Sequence, residues 1–303
     1  MSPNVQWIGL FLFLLPACSP REEDARLRED WGECTRNADC SGGRICRNRK
    51  CVTAPPSPVG TALAPPEGMV HVPAGEFLMG ANRGLPLERP QVTSRTQDFF
   101  LDSREVTVES YLACQRAAHC PQPLCDLTGR PPGTPVTCVT QDAAAAYCAF
   151  VNKRLPTEEE WEKAARGVDA RTYPWGEEPP TCERSVHEGC SASQGPQPVL
   201  GRVSGAGPYG TFDQAGNVWE WTSTSRPAWN KDADPRQRQA GHAPPPTQSG
   251  SAPSSRPGAL PLFVIRGGSY LDPPLALRAS HRLLFARDFT SRALGFRCAA
   301  DPR

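Results

Sequence analysis

The sequence predicts an α+β domain with much irregular backbone. Three observations carry this. The 303 residues include 34 prolines and only 3 methionines, a composition that suits a loop-rich domain better than a helical bundle. Helical spacing occurs at three places, each a short segment. The remaining apolar runs have strand length and are bounded by glycine or proline.

In chain order, Met69-Val70-His71-Val72-Pro73 and Phe77-Leu78-Met79-Gly80 read as two short strands around a Pro-Ala-Gly turn. Thr107 caps a first helix, with Val108, Tyr111, Leu112 and Gln115 at helical spacing. A second helix runs from about Asp142 to Asn152 and carries Ala145, Ala146, Cys148 and Ala149. The third has the clearest boundaries. Thr157-Glu158-Glu159-Glu160 forms a capping box, Trp161, Ala164 and Ala165 share one face, and Gly167 ends it. Residues 225–260 then lose periodicity and fill with Pro, Ser, Gln, Arg and Gly. Such a segment supplies no core, so a surface insertion is expected there. Leu262 to Ile265 reads as a buried strand, and Leu294 to Ala299 as the last one.

The N-terminus reads differently. Trp7 to Leu15 is apolar but too short to span a bilayer, and Leu15-Pro16-Ala17-Cys18 follows it. This resembles the lipobox of bacterial lipoproteins, with residues 1–17 a signal peptide, Cys18 acylated, and the polar residues 18–30 a tether. Met1 to Gln6 lacks the usual Lys or Arg. A cleaved signal with Cys18 as a stray thiol is the alternative. Lipid chains on Cys18 would hold the protein at a membrane, each buried methylene contributing about 0.8 kcal/mol. Ser19 is not the Asp that retains such proteins at the inner membrane, which points to the outer membrane of a cell envelope.

Thirteen cysteines less Cys18 leave twelve, an even number that fits an exported, oxidised chain. Cys34, Cys40, Cys46 and Cys51 fall within residues 31–53, a module too small to bury a core without bridges. The pairing expected is Cys34 with Cys46 and Cys40 with Cys51. A zinc site is the competing reading, but the C-x2-C spacing of zinc knuckles is absent. Residues 54–67 form a Pro- and Ala-rich linker, and the main domain occupies 68–303.

Charge excludes one class of partner. With 33 basic and 32 acidic residues and no basic groove, nucleic acid is not expected. Arg44, Arg47, Arg49 and Lys50 read as a solvated face. His71, His119, His187, His242 and His281 show no metal-ligand spacing. No phosphate loop or nucleophile elbow appears.

Five segments together resemble the formylglycine-generating enzyme (sulfatase-modifying factor) family. They are Met69-Val70-His71-Val72-Pro73-Ala74-Gly75-Glu76-Phe77 with Met79-Gly80; Lys153-Arg154-Leu155-Pro156-Thr157-Glu158-Glu159-Glu160-Trp161-Glu162 with Ala164-Ala165-Arg166; Tyr173-Pro174-Trp175-Gly176; Gly216-Asn217-Val218-Trp219-Glu220-Trp221; and Arg266-Gly267-Gly268-Ser269-Tyr270 with Gly295-Phe296-Arg297-Cys298. Their order makes chance resemblance implausible. The resemblance implies a C-type-lectin-like fold and a calcium ion at the Gly-Asn-Val-Trp-Glu-Trp turn, a hard-oxygen setting. Asp213 and Glu220 would give side-chain oxygens, and Gly216 and Val218 carbonyls. A turn closed by Asn217, with Trp219 and Trp221 simply packed, is the plainer alternative. The resemblance also pairs Cys148 with Cys298. Cys182 and Cys190, bracketing a short hydrophilic loop, are expected to close on each other. Cys114, Cys120, Cys125 and Cys138 would make two more bridges of open connectivity.

The family's chemistry uses two cysteines, five residues apart, after Gly-Gly-Ser-Tyr. They suit copper(I), a soft cation. Here those positions are Asp272 and Leu277. Leucine has no donor atom and a lone carboxylate is a poor copper(I) ligand, so copper and family-type oxidase activity are not expected. Trp219 and Ser269 match positions that line the family's substrate groove, and Asp272 would sit beside them; persistence of Trp219 and Ser269 for packing, with no ligand, is the plainer alternative. Two readings follow: a non-catalytic scaffold that binds a peptide or small polar ligand, or an oxidoreductase of the formylglycine-generating type with a non-standard metal site.

Overall fold

The computed structural model describes residues 44–47, 50–53, 64–190, 195–199, 201–226 and 261–302. Cys18 and the pairings expected for Cys34, Cys40 and Cys46 lie outside them. Arg44–Arg47 (β1) and Lys50–Thr53 (β2) pair antiparallel, and Cys51 is disulfide-bonded.

The main domain assembles short strands around three helices. Met69–Val72 (β3) and Gly75–Met79 (β4) both form, but they enter different sheets. β4 pairs with Val92–Thr96 (β5), while β3 pairs with Phe99–Asp102 (β6). Gly75 at φ 137° lets the chain leave one sheet and enter the other.

All three helices begin on a threonine whose side chain accepts from the backbone three residues on: Thr107 for Val108–Arg116 (α1), Thr140 for Gln141–Phe150 (α2) and Thr157 for Glu158–Arg166 (α3). At α3 the capping box is complete, with the Glu160 carboxylate accepting from Thr157 N at 2.8 Å.

The central sheet is built from Trp219–Arg226 (β7), Leu262–Arg266 (β8), Arg282–Ala286 (β9) and Leu294–Gly295 (β10), in the order β10-β7-β8-β9. β7 continues through Ser225 and Arg226, two residues that composition assigned to the insertion. The last expected strand is broken. Leu294–Gly295 joins β7, Ala299–Ala300 (β11) joins β6, and Arg297 turns inward between them.

A single large apolar cluster joins α1, α2 and the central sheet. Tyr111, Tyr147 and Phe296 form edge and stacked ring pairs, and Trp221 sits among them with no exposed surface. Four bridges form among the described residues: Cys114–Cys120 and Cys148–Cys298 within this cluster, and Cys125–Cys138 and Cys182–Cys190 outside it.

Candidate functional site

The alternation of side chains along β7 sets out the site. Trp219 and Trp221 enter the main core, while Glu220 faces the other way, toward α3. On the Trp219 side, its indole Nε1 donates to Asp272 Oδ2 at 2.9 Å, and the Ser269 hydroxyl donates to the same oxygen. Ser269 Oγ in turn accepts from Leu271 N at 3.2 Å. Burial raises the Asp272 carboxyl above its ordinary pKa, outweighing these hydrogen bonds, which lower it. The His281 ring lies 5.5 Å from the Trp219 ring. Leu271 and Leu275 flank Asp272 and are 50% and 51% exposed.

The three residues predicted to line a groove are therefore brought together. Gly268 explains the local path. Its φ is 74°, and a Cβ there would lie 2.7 Å from the Leu277 side chain. Leu277 itself is fully buried. No thiol stands at position 272 or 277, so the residues present do not fit a copper(I) centre of the family kind.

On the opposite face the chain makes a tight turn. Asp213, Gly216 and Asn217 all have positive φ, and a Cβ on Gly216 would collide with the Val186 carbonyl. Asn217 donates to Glu105 Oε2 and to Gln197 O, both at 3.2 Å. Glu220 has both carboxylate oxygens engaged: Arg297 binds them from Nε and Nη2, each at 2.7 Å, and Trp161 Nε1 donates to one at 2.7 Å. The oxygens without a hydrogen bond are elsewhere. Asp213 Oδ2 and Glu105 Oε1 are buried and unpartnered.

Both carboxyls are pushed up by burial, Glu105 also by the neighbouring Asp213. Three carboxylates (Glu105, Asp213, Glu220) thus meet two guanidiniums, Arg297 and Arg202, leaving one negative charge over. A hard divalent cation fits that surplus and those orphan oxygens. Sequence reasoning named Asp213 and Glu220 but missed Glu105. Its proximity arises from the long-range contact between Asn217 and the segment before α1, which no local spacing announces.

A third cluster was also missed. Cys182 and Cys190 are bridged, and the His187 ring lies against Cys190 Sγ, at 3.3 Å from Nδ1 and 3.4 Å from Nε2. Sequence reading found no metal-ligand spacing around any histidine. The loop folds back on itself, and that closure makes the group.

Residues 56–302 match the model of the sulfatase-modifying factor enzyme 1-like domain. The chain belongs to this family. Among curated relatives of the sulfatase-modifying-factor family, the formylglycine-generating enzyme of Streptomyces coelicolor is 31% identical over 323 residues, covering 82% of this chain and 96% of the relative. That of Thermomonospora curvata is 36% identical over 188 residues, covering 56% of this chain and 57% of the relative. A cattle protein named inactive C-alpha-formylglycine-generating enzyme 2 is 32% identical over 180 residues, covering 55% and 50%. Among solved structures, PvdO from Pseudomonas aeruginosa matches with TM-score 0.57 at 22% identity, covering 77% of this chain and 94% of that one. Treponema denticola variable protein 1 matches with TM-score 0.56 at 20% identity, covering 77% and 95%. These structures share the fold.

Proposed function

We propose that this chain is a non-catalytic member of the family, a scaffold whose Trp219–Ser269–Asp272 groove binds a peptide or small polar ligand. The observation that carries the reading is the fate of the two positions where the family places its copper-binding cysteines. One is a carboxylate drawn into hydrogen bonds with Trp219 and Ser269, and the other is a leucine sealed in the core. Neither offers a soft donor. Relatives named inactive in cattle and mouse fit the same reading. Exposed Leu271 and Leu275 beside the half-buried Asp272 carboxyl suit a peptide, which presents apolar side chains along a hydrogen-bonding backbone.

A calcium ion is part of the proposal. Asp213 and Glu105 would hold it through the oxygens that lack partners, with the carbonyls of Gly216 and Val218, and it would rigidify the turn that positions Trp219. Glu220, engaged by Arg297 and Trp161, serves as its neighbour. Attachment to a cell-envelope membrane through Cys18 is the accompanying proposal for location, supported by the apolar run before Cys18.

The test incubates the copper(I)-treated chain and oxygen with a peptide carrying Cys-x-Pro-x-Arg, following peptide mass and, by titration, peptide binding. An unchanged peptide that binds the wild type and not Trp219→Ala is expected. An aldehyde product would overturn the non-catalytic reading in favour of an oxidoreductase. Absence of any binding would overturn the groove.

A further inference from the structure

We propose that the Cys182–Cys190 bridge is a reducible centre whose open form, together with His187, binds one zinc(II) or copper(I) ion with a coordination position left open. This goes beyond the non-catalytic reading, and its three donor residues are distinct from those of the groove and the calcium turn.

The donors are of the right kind and already converge. The potential ligand atoms of Cys182, His187 and Cys190 all lie within 4.8 Å of one another. Two thiolates and an imidazole make a soft-to-borderline set that suits tetrahedral zinc or copper(I), with three protein donors and a free fourth position. The imidazole is held in place from behind. Ser185 Oγ lies 3.0 Å from His187 Nδ1; with the proton on that nitrogen, Nε2 is left free to coordinate once the ring turns toward the opened cysteines.

The loop does not depend on the S–S bond for its shape. Val186 O accepts from Asn217 N at 2.7 Å, Glu188 N donates to Asp272 O at 3.0 Å, and Glu183 O accepts from Ser204 Oγ at 2.7 Å. Arg184 pairs with Glu178 at 2.9 Å, and Val186 packs with Tyr270 and Ala293. Opening the bridge therefore leaves the three donors near one another, and small side-chain rotations separate the sulfurs to ligand spacing. The same Glu188–Asp272 contact places the centre at the margin of the groove.

Access favours this bridge over the other three described. Cys182 is exposed and Cys190 half-buried, whereas both cysteines of Cys114–Cys120 and of Cys148–Cys298 are buried, as is Cys138 of Cys125–Cys138. The reductant is a dithiol. Its first thiolate attacks Cys182 Sγ, the Sγ–Sγ bond breaks and Cys190 leaves as a thiolate beside His187. The reductant's second thiol then displaces Cys182, giving two cysteine thiols and an oxidised dithiol. Metal binding releases the thiol protons.

The experiment uses the full chain. Graded dithiol treatment with mass mapping of alkylated cysteines should label Cys182 and Cys190 before the buried pairs. After anaerobic removal of the reductant, zinc titration should give one equivalent bound by the opened chain. Cobalt(II) should show thiolate charge transfer that disappears when Cys182 and Cys190 are alkylated. The double variant Cys182→Ser, Cys190→Ser should lose the site. Ser185→Ala should weaken zinc binding about tenfold to a hundredfold with an unchanged melting curve. The proposal is overturned by a bridge that resists reduction as well as the buried ones do, by an opened chain that binds no zinc or cobalt, or by a double serine variant that binds like the wild type.

Discussion

At the scale of single residues, the Glu105–Asp213 pair makes the sharpest demand on its surroundings. Both carboxyls carry pKa values raised above the ordinary range. A group raised in the folded state contributes stability below its unfolded pKa and loses it as pH rises through the folded value. In chelator, melting temperature should therefore fall as pH climbs from the ordinary carboxylate range toward neutrality, and calcium should restore it. Glu105→Gln should raise the chelated melting temperature at neutral pH and remove the calcium response. A change of about 1 kcal/mol would move the midpoint by roughly 2–4 °C at this chain length. A midpoint indifferent to calcium at every pH would defeat the cation assignment. Asp213 was legible because it stands at a fixed offset before Gly216-Asn217. Glu105 was not, since only the folded turn brings it there, and His187 escaped for the same reason.

At the scale of elements, the helices were readable because their threonine caps and acidic first turns are local chemistry. The interior of α3 was not. Trp161, Ala164 and Ala165 mark an apolar face, yet Glu158, Glu162, Lys163 and Arg166 are buried as well. A charged position reads as solvated unless its partners are known, and those partners come from far along the chain. Glu162 accepts from Gly80 N at 2.6 Å and from Arg166 at 2.9 Å, and it also binds Arg266 and Arg282. Removing it leaves Arg266 and Arg282 to share the Glu158 carboxylate and Arg166 with backbone carbonyls in place of an anion. Glu162→Ala should cost about 3–5 kcal/mol by denaturant unfolding, while a loss below about 1 kcal/mol would show the network to be well solvated. The broken last strand has a similar cause. Strand periodicity would run on through Arg297, but between β10 and β11 its side chain turns inward to the buried ion pair with Glu220.

At the scale of the whole molecule, the order of five short motifs sufficed to place the fold, because each marks a turn or buried contact that this architecture reuses. Sheet assignment was less accessible. Neighbouring strands β3 and β4 separate into different sheets, and nothing in their own residues records which partner each will take. The Cys148–Cys298 bridge has a consequence at this scale. It closes a loop of sequence separation 150 that contains the whole stretch between β7 and β8. A chain-entropy estimate for so long a loop is about 5 kcal/mol. A single protease cut between Arg226 and Leu262 would therefore divide the polypeptide without dividing the molecule. The two pieces should run together on a non-reducing gel, separate on a reducing one, and keep near-native melting, since the Cys148–Cys298 bond still joins them and the β7–β8 ladder lies outside the cut. The bridge thus keeps the two sides of any break between β7 and β8 in one covalent molecule.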